Sequence, residues 1–178
     1  MKLRTERLLI TDLSLAYLNE IHQLHSLPEV DEFNTLGIPE SIQVTKELIL
    51  GWLEQKEATP RMSYVFCIKL IETNQFIGLI GLKSGKLNYK TAEAWFKTHP
   101  DFWNKGYTSE ALQEILKFAF HKLILHRVEA GCAVGNIASI KVLEKAGMTR
   151  EGMKREILPI RGKWADNYFY SILEKEFG

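Results

Sequence analysis

A glycine, Gly106, stands inside the run Trp103-Asn104-Lys105-Gly106-Tyr107-Thr108-Ser109, directly ahead of apolar residues at helical spacing. Those residues are Leu112, Ile115, Leu116, Ala119 and Leu123, one stripe of a helix. Glycine lets a turn adopt positive φ and lets a ligand approach the backbone closely. Thr108 or Ser109 is the predicted N-cap, with Glu110 in the first turn. The unbonded N–H groups near 104–109 then point at whatever lies ahead of the helix, which is chemistry for an anion such as a phosphate.

A second turn of the same kind follows. Val128, Ala130, Cys132 and Val134 alternate with Glu129, Gly131 and Ala133, a strand pattern. Gly135 and Asn136 come next, then a helix from Ile137 to Ala146 with Ile140 and Leu143 on one face, stopped by Gly147. Asn136 suits an N-cap, and Ser139 falls in the first turn on the same side. Either turn alone is explained by an ordinary capped helix. Two adjacent helix N-termini in one βαβα unit also suit a cofactor with a long phosphate-bearing tail lying across both.

The elements that hold these turns follow from periodicity. Strands are expected at 8–11, 63–71, 75–83 and 92–98, with a hairpin at Glu72-Thr73-Asn74. Helices are expected at 14–25 and 42–57, separated by a loop at 27–39 that carries Pro28, Gly37 and Pro39. A last hairpin, 153–160 with 163–173, turns at Arg161-Gly162. The order is β-α-α-β-β-β-α-β-α-β-β, with no repeat and no linker, so a single domain over 1–178 is expected.

Composition narrows the class. The 178 residues are 46% hydrophobic with a net charge of +1. That suits a globular α/β domain and argues against a nucleic-acid binder. The N-terminus carries Lys2, Arg4, Glu6 and Arg7 without an apolar core, so no signal peptide is expected. No stretch approaches ~18 apolar residues, so no membrane span is expected. Cys67 and Cys132 lie in strand-like runs, as buried free thiols of a cytoplasmic protein would.

The segments FWNKGYTSEAL and HRVEAGCAVGNIASIKVLEKAGM resemble the GNAT superfamily of acetyl-CoA-dependent N-acetyltransferases, and within it the Rim-type subgroup that acts on ribosomal-protein N-termini. TERLLITDLSL, TNQFIGLIGL and MTREGMKREILPIRGKWADNYFYSIL resemble the same subgroup in the same order, covering nearly the whole chain. The resemblance implies a mixed, mostly antiparallel central sheet, splayed after its fourth predicted strand, with helices on both faces. It implies acetyl-CoA as co-substrate, an amine acceptor, no metal, and a monomer or homodimer. The superfamily's turn reads Gln/Arg-x-x-Gly-x-Gly/Ala; here Trp103 holds the first position and Thr108 the last, so Thr108 brings extra bulk towards the pyrophosphate.

Roles are carried over from that resemblance. Backbone groups of Phe96 and Thr98 would face pantetheine and the acetyl carbonyl. The turn Trp103, Asn104, Lys105, Gly106, Tyr107, Thr108 and Ser109 would hold the pyrophosphate, with Lys105 adding charge. Asn136 would bond a pantetheine amide or hold the second turn. Ser139 would give a proton to the departing sulfur in place of the tyrosine many relatives use. Glu93, at the start of its strand, is the candidate general base, with a surface or substrate-binding carboxylate as the plainer reading. The acceptor is expected to be a protein or peptide α-amine. A small-molecule amine, or a non-catalytic acetyl-CoA-binding module, is the alternative. His22 and His25 share a helix face but have no carboxylate or thiol near them in sequence, which disfavours a metal site.

Overall fold

The computed structural model describes residues 1–178. In chain order the elements are β1 (Lys2–Arg4), β2 (Leu8–Asp12), α1 (Leu18–Ser26), α2 (Pro28–Asp31), α3 (Ile42–Glu57), β3 (Ser63–Leu70), β4 (Phe76–Ser84), β5 (Thr91–Thr98), α4 (Tyr107–His121), β6 (Arg127–Ala133), α5 (Ile137–Lys145), β7 (Thr149–Ile160) and β8 (Lys163–Leu173). No helix is long and apolar enough to cross a membrane.

All eight strands form one sheet in the order β1-β2-β3-β4-β5-β6-β8-β7. Only the β5–β6 pair is parallel, and it lasts three residues, Thr91↔Arg127 to Glu93↔Glu129. Beyond Glu93, β5 stays with β4 as far as Thr98, while β6 follows β8 through Ala133. The sheet therefore opens between two strands that each continue, leaving one edge of β5 unpaired.

Side-chain alternation builds a core on each face. Phe66, Ile80, Leu82 and Ala94 pack under α4 and α5 through Leu112, Ile115, Leu116, Ala119 and Leu143. Val65, Cys67 and Leu79 pack under α1 and α3 through Ile21, Leu24 and Ile49, with Trp52 and Trp95 at the margin. Burial pushes the Cys67 thiol up to about 12 and the Cys132 thiol to about 11, so neither thiol is a nucleophile here.

Four sequence expectations are corrected. There are eight strands rather than seven, because Lys-Leu-Arg at β1 is too short to show alternation. The 27–39 loop contains α2, a single turn begun by Pro28. The first predicted helix starts at Leu18, after a tight turn over Leu15–Tyr17 capped by Ser14. The N-cap of α4 is Gly106, at φ 79°, not Thr108 or Ser109.

The Arg161-Gly162 hairpin has both residues at positive φ (49° and 74°), the geometry that matches strand twist. β7 is an outer edge of the sheet, and its pairing with β8 is interrupted twice, at Arg150/Gly152 and at Lys154/Leu158. The second bulge holds Glu156 at φ 48°, its N–H donating to Asp166 Oδ1 at 2.8 Å.

Candidate active site

Six consecutive amides, Asn104 to Ser109, donate to no backbone acceptor. Asn104 at φ 59° and Gly106 at φ 79° curl the chain so that the turn runs straight into α4. A cavity of about 570 Å³ lies against it, lined by Arg7, Asn104, Lys105, Gly106, Ser109, Glu110, Gln113 and Lys145. A run of free amides at a helix N-terminus is an anion site by construction.

The turn is braced from the residues just ahead of β2. Arg7 Nε donates to Glu110 Oε2 at 2.7 Å, Arg7 Nη1 to the Lys105 carbonyl at 3.1 Å, and the guanidinium lies 4.5 Å from the Tyr107 ring centre. Burial raises the pKa of the Glu110 carboxyl, but bonds from Thr5 and Arg7 outweigh it and hold the group below its ordinary value. Nothing local in the sequence pointed to Arg7 or Thr5, which reach the turn from about a hundred residues away. Lys105 Nζ sits over the Phe102 ring at 5.4 Å.

Two side-chain bonds join this turn to the open strand. Trp103 Nε1–H donates to the Thr98 carbonyl at 2.7 Å, and the Thr98 and Thr108 hydroxyls share a bond of 2.8 Å. Thr108 therefore spends its hydroxyl on β5. Its bulk at the family's Gly/Ala position has a structural use.

Ladder alternation decides which β5 groups are free. Gly85 N–H donates to Thr91 O, and His99 N–H to Ile77 O, marking 91 and 99 as positions bonded to β4. The backbones of Glu93, Trp95 and Lys97 then face β4, and those of Ala94, Phe96 and Thr98 face the gap. The backbone N–H and carbonyl of Phe96 and the N–H of Thr98 thus face the gap unpaired, while the Thr98 carbonyl is taken by Trp103.

The second turn is largely self-satisfied. Asn136 Oδ1 accepts Ser139 N–H at 3.0 Å, Asn136 N–H donates to Ala133 O, and Ile137 N–H to Gly135 O. Asn136 is a true N-cap. Of the two adjacent turns expected to suit an anion, the first therefore presents the longer run of free amides. Ser139 is half-buried in the first turn of α5.

Glu93 is exposed, in the last paired position before the sheet opens, between Lys83 on β4 and Glu129 on β6. If it relays the acceptor's proton, Glu93→Gln should slow turnover most at low pH, where less amine is neutral. A pH–rate profile identical to wild type assigns the carboxylate to the surface instead.

The other face of β5 carries groups that local pattern did not flag. Trp95 stacks on Trp52 (5.7 Å between ring centres), and His25 meets Trp52 edge-on. Burial lowers the Lys97 amine to about 8 despite the opposing charge of Asp31, and lowers the His25 imidazole to about 3. Asp31 on α2 is held by Arg161 Nε at 3.1 Å, and Arg161 Nη2 also donates to the Pro28 carbonyl. His22 Nδ1 pairs with Thr45 Oγ1 at 2.8 Å.

Comparison with known proteins agrees with this geometry. The chain is 44% identical over 87 residues to the uncharacterized N-acetyltransferase YnaD of Bacillus subtilis, a match spanning about half the length of that relative (51%) and 49% of this chain. It superposes on a GNAT-family acetyltransferase from Bacillus anthracis with a TM-score of 0.85 and 31% identity, covering 98% of this chain and 99% of that one. The same fold recurs in the Vibrio cholerae spermidine N-acetyltransferase solved with CoA and spermine (TM-score 0.85, 22% identity, 97% and 99% covered). It recurs again in RimL, the ribosomal L7/L12 α-N-protein acetyltransferase solved with CoA (TM-score 0.87, 17% identity, 97% and 98% covered). Residues 7–149 match the family model for the acetyltransferase (GNAT) domain, and the chain belongs to that family.

Proposed function

We propose that this chain transfers the acetyl group of acetyl-CoA to the α-amine of a protein or peptide N-terminus. The observation that carries the transferase reading is the run of six free amides at Asn104–Ser109, bonded through Trp103 and Thr108 to the open edge of β5. A phosphate-bearing tail anchored at the turn lays its other end along Phe96 and Thr98. The GNAT structures named above that share this fold and were solved with CoA support CoA as the ligand class.

Acetyl-CoA supplies an activated thioester carbonyl, and the chain supplies position and hydrogen bonds. Backbone N–H groups on the open edge of β5 stabilise the oxyanion as the amine attacks. The new N–C bond forms, the C–S bond breaks, and the sulfur takes a proton from the Ser139 hydroxyl, which is refilled from water. The proton shed by the amine leaves through water at the closed end of the gap, where Glu93 stands. An α-amine with pKa near 7.7–8.0 is partly neutral at pH 7, whereas a lysine amine near 10.4 is almost wholly protonated. A site with no strong base therefore favours the α-amine.

Small-molecule amines are the second reading, favoured by the fold shared with a spermidine acetyltransferase. The test is a mass-spectrometric competition between peptides with free N-termini, N-blocked lysine peptides and polyamines. Preference for blocked peptides or polyamines overturns the α-amine reading and keeps acetyl transfer. Binding of acetyl-CoA with no acetylation of any amine leaves a non-catalytic module.

The two α5 residues should separate kinetically. Ser139→Ala should lower kcat more than it raises KM for acetyl-CoA, because a donor to the leaving sulfur acts in the transition state. Asn136→Ala should cost about 1 kcal/mol of stability through the lost cap and weaken cofactor binding. A Ser139→Ala effect confined to KM makes Ser139 a binding residue.

A further inference from the structure

Three side-chain atoms in the chain are buried with no hydrogen-bond partner: His25 Nε2, Asp31 Oδ1 and Lys97 Nζ. They come from α1, α2 and β5: His25 meets Trp52 edge-on, Trp52 stacks on Trp95, and Lys97 shares the strand face of Trp95, while the charge of Asp31, on the turn directly after α1, acts on Lys97, so the three share one place. An unpaired buried polar atom costs about 1–3 kcal/mol. Three such atoms gathered in one place call for a ligand.

The place adjoins the reacting centre. Lys97 lies between Phe96 and Thr98, the residues whose backbones face the gap, and alternation sends its side chain to the α1–α3 face beside Trp95. The amide turn and α4 lie on the opposite face, which leaves this side for the acceptor. The chain after α2 reaches the end of β6, where a Cβ on Gly135 would come within 3.0 Å of the Phe33 ring.

The charges around the place decide what it can hold. Asp31 and His25 are 5% and 4% exposed. Asp31 is paired with Arg161 through its other oxygen. His25 faces Lys97 from α1, with His22 beyond it bonded to Thr45; burial keeps His25 neutral. Lys97 therefore sets the sign, as a donor cation with nothing to donate to, beside a carboxylate oxygen with nothing to accept.

We propose that Lys97 and Asp31 form the specificity pair of the acceptor site: Asp31 Oδ1 accepts an N–H of the amine, and Lys97 Nζ donates to a carbonyl oxygen on the carbon next to the one bearing it. The pair reads an α-amino carbonyl unit, the chemistry shared by a peptide N-terminus and a free amino acid. A polyamine has only donors and cations; it would leave Lys97 unpaired and meet like charge. Both atoms are sealed from solvent in this state, so the acceptor reaches them as the α2 segment shifts, a single turn held by the Arg161 bonds to Asp31 and Pro28. This inference rests on the acetyl-transfer reading.

The test compares trialanine, L-alaninamide and L-alanine with isopropylamine and spermidine, using the intact chain and acetyl-CoA. With kcat/KM expressed per neutral amine, so that basicity drops out, wild type should prefer the α-amino carbonyl compounds to isopropylamine by roughly 10- to 100-fold, the worth of one charged hydrogen bond. Lys97→Met should bring that ratio near one; Lys97→Arg should keep part of it. A ratio of two substrates on one variant is independent of how much of the variant folds. Trialanine against L-alanine tells which source is used. An unaltered ratio in Lys97→Met, or a wild-type preference for spermidine, overturns the pair. If no amine is acetylated, the transferase reading falls, and calorimetric titration of L-alaninamide into CoA-loaded protein still decides: binding lost in Lys97→Met upholds the pair, and equal or absent binding overturns it.

Discussion

Gly106→Val should weaken acetyl-CoA binding by at least about 100-fold while leaving the domain folded. Gly106 sits at φ 79°, where a residue with a Cβ pays roughly 1–2 kcal/mol and a β-branched one more. A Cβ there comes within 3.4 Å of Arg7 Nη2, inside the brace that Arg7 makes to Glu110 and the Lys105 carbonyl. The turn relieves the φ strain by rotating its peptides, which re-aims the amides of Asn104–Ser109 and loosens the brace. Each hydrogen bond to a charged phosphate contributes about 1.5–3 kcal/mol, so losing one or two accounts for the drop. Calorimetric titration measures it. Thermal unfolding should show a Tm lower by roughly 2–8 °C, not a collapse. Wild-type affinity in the variant would remove the phosphate assignment of the turn.

The second large effect belongs to a glycine that contacts no ligand. Gly78 on β4 pairs with Thr98 on β5, next to an irregularity that shifts the β3–β4 register at Ile68/Lys69. A Cβ on Gly78 would lie 2.2 Å from the Lys97 carbonyl oxygen and 3.0 Å from Thr98 Cα, both backbone. No rotamer relieves that overlap, so β5 must move away from β4. Gly78→Ala should destabilise the fold by roughly 3 kcal/mol, the upper end of overpacking, read as a lower urea midpoint. It should also cut kcat by about 100-fold, because a displacement of about 1 Å at the reacting centre has that cost. The displaced segment carries Phe96, Lys97 and Thr98. A variant with wild-type midpoint and kcat would show that β5 is not held by this contact.

Local features were legible before the fold was known. Gly106, Asn136, Gly147 and the Arg161-Gly162 turn announce themselves because each answers a demand of its own few residues. Thr108 misled for the same reason: a threonine ahead of a helical stripe reads as a cap, and only the fold shows its hydroxyl committed to Thr98. The open edge of β5 followed from resemblance, while the register that frees Phe96 and Thr98 needed the ladder itself. The acceptor side was opaque, since Asp31 and Arg161 stand 130 residues apart and Lys97 sits in a strand whose period alone cannot name its neighbours. Arg7 escaped notice likewise, because its partners lie on another element.

The two outer strands bear on how copies of this chain meet. β1 has three residues. β7 is long but kinked by two bulges, interrupted by Pro159 and studded with Arg150, Lys154 and Arg155. Neither rim offers a straight row of free amides to a neighbouring molecule. Self-assembly by strand addition is thereby blocked at both ends, as is the runaway stacking that seeds fibrils. A homodimer built by strand addition at either rim is disfavoured, and concentrated solutions should resist β-rich aggregation until the fold itself opens.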